Sequence, residues 1–138
     1  MSLDPERALQ KAVLAHLRAD AALQPLLGAT PRIHDEPPAD PVYPFVALSR
    51  AESRPWGGLE GEGVEHAITL TCVSRFGGTE EARAVVAALR VSLHGADLSL
   101  DDNRLVNLRA TFADVFRAAD WRSTYGVMRL RAVTEPLD

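Results

Sequence analysis

Four histidines, one cysteine and a few groups of carboxylates are the side chains of this 138-residue chain that could do chemistry. A zinc site needs ligands at short spacing, and His16, His34, His66 and His94 are scattered without it. His66 falls on the apolar side of a strand pattern and reads as a packed or hydrogen-bonded residue. A Cys72 nucleophile would need a base and a setting that stabilises its thiolate. It stands mid-strand between Thr71 and Val73, as a small buried hydrophobe would. Asp101-Asp102-Asn103 has calcium-ligand residue types but lacks the glycine and further acid of an EF-hand, and its composition is that of a turn. Asp35-Glu36 and Glu60, Glu62, Glu65 could move protons only if apolar surroundings tuned them; none is evident, and they read as a solvated acidic face. Gly57-Gly58, Gly61 and Gly63 lack the Lys-Ser/Thr ending of a phosphate loop. The expectation is no catalytic residue, no metal and no cofactor.

The elements that would position these residues follow from the hydrophobic periodicity. Asp4 caps a helix, Pro5 fills its first position, and Leu9, Ala12, Val13, Ala15 or His16, and Leu17 recur at helical steps. Asp20 starts a short second turn from Ala21 to Leu27, with Pro25 inside it and Gly28 ending it. Pro31, Pro37, Pro38, Pro41 and Pro44 leave room only for an edge strand around Arg32 to His34. Strands are predicted over Phe45 to Ala51, Val64 to Val73, Leu98 to Leu100, Leu105 to Phe116 and Val127 to Glu135. Asp101 to Asn103 and Ala118 to Tyr125 form turns, and Val106, Leu108, Ala110 and Phe112 share one side of their strand. Gly77-Gly78 followed by Thr79 as cap, with Val85, Val86 and Leu89 on one face, predicts a helix over Thr79 to Leu93. The order predicts one α+β domain over residues 1–138, a mainly antiparallel sheet packed by an N-terminal and a central helix.

Arg54 to Gly63 reads as a long mobile loop, since four of its ten residues are glycine. Trp56 and Leu59 are large apolar side chains within it, suited to burial against a partner, with Arg54, Glu60 and Glu62 as a polar rim. A Trp56 folded back over its own sheet is an equal alternative.

A net charge of −4 argues against a protein that grips nucleic acid by its phosphates. One cysteine allows no internal disulfide, and the natural reading is a reducing cytoplasm. The N-terminus lacks the pattern of a signal peptide, and the longest apolar stretch, Ala82 to Leu93, is cut by Arg83 and Arg90, too short to span a bilayer.

Four segments in succession carry a family resemblance: Pro41-Val42-Tyr43-Pro44-Phe45-Val46, the strand His66 to Arg75, the helix start Gly77-Gly78-Thr79-Glu80-Glu81-Ala82, and the ending Tyr125-Gly126-Val127-Met128-Arg129-Leu130-Arg131-Ala132. In this order they resemble the tail-completion proteins, or tail terminators, of long-tailed phages and phage-derived gene transfer agents. One departure is Val73, where such proteins often carry Trp. The resemblance implies a virion structural protein that forms a hexameric ring on the head-proximal end of the tail tube, assembled in the bacterial cytoplasm. Its implied partners are further copies of itself, the major tail tube protein and a neck or head-completion (stopper) protein, with DNA passing through the lumen without specific binding. A neck or head-closure ring protein is the alternative within this class. A small soluble enzyme or ligand-binding domain is the alternative outside it.

Overall fold

Residues 4–57 and 62–137 are described by a computed structural model of the chain. Helix α1 (Pro5–Arg18) starts as its residues dictate: the Arg7 amide donates to Asp4 Oδ1 at 2.8 Å, and Pro5 costs no hydrogen bond at the first position. Its buried stripe is Ala8, Leu9, Val13, Leu14 and Leu17, with Leu14 taking the place expected of Ala15 or His16. Asp20 accepts from the Ala22 amide at 2.9 Å and opens a 3-10 turn (Ala21–Leu23) that passes into the one-turn helix α2 (Gln24–Leu27). Gly28, at φ 104°, ends it in a conformation that side chains disfavour.

Six strands form one sheet in the order β1-β2-β3-β6-β5-β4, where β1 is Ile33–His34, β2 Phe45–Trp56, β3 Gly63–Ser74, β4 Ser99–Leu100, β5 Asn103–Arg117 and β6 Thr124–Pro136. All neighbours are antiparallel except β1 and β2. The α+β architecture is therefore as expected, and the proline-rich span carries only the short edge strand β1.

Helices α1 and α3 (Glu80–Leu93) lie over one face of the sheet. The core between them joins Leu9, Leu17, Leu89 and Leu93 to Ile68, Leu70, Met128 and Leu130, all buried. At roughly 1.5–3 kcal/mol per buried aliphatic side chain, this layer is the main source of stability. Val85, Val86 and Leu89 face it, as their spacing predicts. Gly126 sets how closely α3 approaches: a Cβ there would lie 2.6 Å from Val86 Cγ2. Thr79 does not cap α3, because its own backbone is already helical (φ −97°, ψ −10°); its hydroxyl accepts from Arg83 Nε at 3.2 Å instead.

Two further expectations fail for definable reasons. The pairing of β5 with β6 slips between Leu105 and Asn107 and again between Ala110 and Phe112. Each extra residue in a bulge reverses the faces of the residues beyond it. Leu108 and Ala110 therefore face the core, while Val106 and Phe112 are 44% and 41% exposed. The second failure is the Arg54 to Gly63 loop. Arg54, Pro55 and Trp56 pair with Glu65, Val64 and Gly63, so β2 runs past Ala51 to Trp56.

Candidate interaction surface

The face of the sheet away from the helices carries charge and aromatic rings beside its valines, Val73, Val127 and the buried Val133. Glu65 on β3 stands between Arg54 on β2 and Arg131 on β6 and bonds to both guanidinium groups. The Arg54 hydrogen bond, followed by that of Arg131, holds its carboxyl below the usual carboxylate range. Arg129 on β6 lies over the Phe112 ring of β5, 4.7 Å from its centroid. Arg50 and Glu52 pair at 3.2 Å. These are surface contacts of the kind that fix local geometry while contributing little each.

The contact residues expected from the sequence divide. Arg54 and Trp56 lie at the far end of β2, in a strand and not in a mobile loop. Trp56 packs over its cross-strand neighbour, since a Cβ on Gly63 would meet Trp56 Cε3 at 3.1 Å, and it remains 40% exposed. Glu62 is exposed just before β3. Leu59 and Glu60 lie outside the described residues. The structure gives Arg54 the Glu65 carboxylate as its ionic partner.

Pattern reading misses a second group. Phe112, Asp114 and Phe116 share the bare side of β5, placed there by the bulge at Thr111. At the end of the sheet where β3 meets the start of β6, Phe76 and Trp121 are 71% and 73% exposed. Their turns are tied together by Arg75 Nε donating to Ser123 Oγ at 3.3 Å and the Thr124 hydroxyl donating to the Gly78 carbonyl at 3.2 Å. Val42, 63% exposed, precedes β2 at the same end. Trp121 has φ 60°, in the left-handed region unusual for a bulky residue. Asp120 holds that turn by accepting from the Arg122 and Ser123 amides at 2.9 and 3.3 Å. The one sequence signal for this patch is an aromatic residue in each of two turns, Phe76 and Trp121.

Two of the side chains considered for chemistry, Cys72 and His66, are buried in the sheet. Cys72 is fully buried, and burial, with the negative charge of Glu81 adding to it, pushes its thiol up to about 12. His66 is 3% exposed, with Nε2 2.9 Å from Thr134 Oγ1, and burial lowers its pKa. Asp101 and Asp102 form a turn closed by Asn103 Nδ2 donating to the Asp101 carbonyl at 2.7 Å. Among the described residues no three His, Cys, Asp or Glu side chains gather as metal ligands, and no helix is long and apolar enough to cross a membrane.

The family model of Tail completion protein gp17 matches residues 11–135. A chain in the solved structure "Virion of native gene transfer agent (GTA) particle" is 32% identical, with a TM-score of 0.85, and the alignment covers 94% of this chain and 96% of that one. Comparison with curated proteins gave no match.

Proposed function

The chain belongs to the tail completion protein gp17 family, and from that premise we propose that it is a tail terminator. In this reading it forms a ring, of six copies as the family resemblance implies, on the head-proximal end of the tail tube. The ring stops tube polymerisation and joins the tail to a neck or head-completion protein. The observation that carries the proposal is the near end-to-end match, at 32% identity, to a chain of a gene transfer agent virion. The family is one of virion tail structural proteins, and the buried Cys72 and His66 accord with a role in assembly and not in catalysis.

The acidic balance of the subunit suits a channel that DNA must cross without sticking. A cyclic ring also needs two different surfaces that fit one another, and the bare ends of β2 and β5 are different in sequence and lie on opposite edges. Deleting the gene should leave DNA-filled heads, with tails of uncontrolled length or tails that never join. Electron microscopy of the lysate reads this directly. Tails of normal length attached to heads in the deletion strain would refute the proposal.

A further inference from the structure

We propose that neighbouring copies of this chain join edge to edge: the outer stretch of β2, Ser49 to Trp56, pairs antiparallel with the stretch Thr111 to Arg117 of β5 in the next copy. The inference rests on the ring reading and names the contact that builds the ring.

Both stretches present unpaired backbone. Strand β1 covers β2 only at Val46 and Ala47, and β4 covers β5 only at Asn103 and Arg104. A little further along β5, the Gly95 amide donates to the Leu108 carbonyl at 2.8 Å and the Ala110 amide donates to His94 Nδ1 at 3.0 Å. Beyond Ala110 on that side, and beyond Leu48 on the outer side of β2, no strand pairs among the described residues. The first part of each edge is closed; the remainder carries no strand, and within it Pro55, which has no N–H, removes one ladder hydrogen bond from the β2 stretch. Open edges of this length are templates for another strand, and soluble proteins normally block them.

Direction follows from the sheet, and charge pairing selects the register. Strands β2 and β5 run in opposite senses across the sheet, so a copy added in the same orientation meets its neighbour antiparallel. Facing must match, which restricts register to steps of two. One register sets Arg54 opposite Asp114, an acid with no ionic partner among the described residues, and Trp56 opposite Phe112. Two residues away, Glu52 would face Asp114, like against like. A further step runs the pairing into the bulge at Ser49. In the chosen register the row of Asp114 crosses β3 at Thr71 and that of Arg54 at Glu65, so each copy steps six residues, about 20 Å, along the strands. Closing a sheet on itself requires such a stagger. Pro55 then lies beside the groove of about 320 Å³ between α3 and β5, lined in part by Val86, Ala87 and Val115.

The test is a disulfide at one position of this register. Ser53 and Val115 would stand opposite each other on the helix side, and antiparallel partners at about 4.5–5.5 Å between Cα atoms lie within disulfide reach. With Cys72 buried, Ser53→Cys/Val115→Cys should give a ladder of covalent multimers on oxidation, in free rings and in assembled particles. Ser53→Cys/Ala113→Cys should not. Independently, Arg54→Glu should weaken association roughly tenfold or more, and adding Asp114→Arg should restore it, which a merely structural role beside Glu65 would not produce. Rings seen by native mass spectrometry without the cross-link, or without the rescue, would overturn the edge pairing and leave the ring reading standing. Protein that forms no oligomer, alone or on tail tubes, would overturn both.

Discussion

The same strands make both faces of the sheet, yet the two faces have different tasks. Toward the helices, β3 and β6 present Ile68, Leu70, Met128 and Leu130, each at most 1% exposed. Toward solvent they present Glu65, Thr69, Arg129 and Arg131, with Phe112 of β5 beside them. Burial on one face already supplies the driving force for folding. The other face, and the edges and turns continuous with it, can therefore be altered by selection for contacts with other molecules at little cost to the fold. Substitutions on the two faces should accordingly separate stability from assembly.

The sharpest separation comes from α3. Val86 is 7% exposed and sits against Gly126, so Val86→Asp buries an unpaired charge and should cost several kcal/mol, enough to unfold the subunit. Thermal denaturation followed by circular dichroism checks it. A soluble Val86→Asp protein with unchanged Tm would mean that the covered face does not carry the stability.

How far the sequence reveals this division depends on the signal. The covered face is legible because its residues repeat at 3.6 or 2: Val85, Val86 and Leu89 on α3, and His66, Ile68, Leu70 and Cys72 on β3, all face the core as their spacing indicates. The capping roles of Asp4 and Asp20 are legible because they are local. The bare face is not. A bulge has no periodic signature, so simple alternation puts Val106 and Phe112 on the wrong side. Glycine content suggests a loop from Arg54, whereas tertiary pairing with Glu65, Val64 and Gly63 carries β2 on to Trp56. Of the contact residues expected there, Arg54 and Trp56 fall on the edge proposed to pair, while Asp114 and Phe112 have no sequence signal as contacts at all.

Trp56 straddles the two regimes. It packs over Gly63 and is still 40% exposed, so Trp56→Ala should cost about 1 kcal/mol of subunit stability, well short of a fully buried aromatic. The same change should weaken association more than it lowers Tm. Urea denaturation of the monomer alongside native mass spectrometry compares the two effects. A stability loss of core size with association unchanged would place Trp56 with the covered face.

A smaller effect follows from His66. Burial lowers its pKa against a weaker opposing pull from Glu6, so the folded state disfavours its charged form. Below the ordinary histidine range of about 6.5, the unfolded chain binds the proton first, and stability falls as pH drops toward the folded value; above that range the effect vanishes. His34, lowered chiefly by burial and further by Arg18 and Arg32, acts in the same direction. Tm should therefore decline from pH 7 to pH 5, and His66→Gln, which keeps a side chain able to bond Thr134, should reduce the slope without abolishing it. An unchanged slope in His66→Gln would show that His66 is protonated as easily folded as unfolded.

The least effect on the fold, and the clearest on assembly, is expected at Trp121. A bulky side chain at φ 60° is strained by about 1 kcal/mol or more relative to glycine, which adopts that conformation freely. Its ring contact within the chain is the Arg117 guanidinium, 5.4 Å from the ring centroid, and it remains 73% exposed. Folding alone gives little reason for a tryptophan there, and a strained, exposed aromatic residue at the end of a sheet points to a partner. Phe76, in the adjoining turn, extends the same patch. Trp121→Gly should leave Tm unchanged or raise it by a few degrees, because the strain is relieved and little packing is lost. The same variant should join tails to heads less efficiently, read as the fraction of complete particles by electron microscopy. If Trp121→Gly lowers Tm and particle yield together, the residue belongs to the fold; if neither changes, the exposed end of the sheet makes no contact in the particle, and the bare surface that matters is confined to the two strand edges.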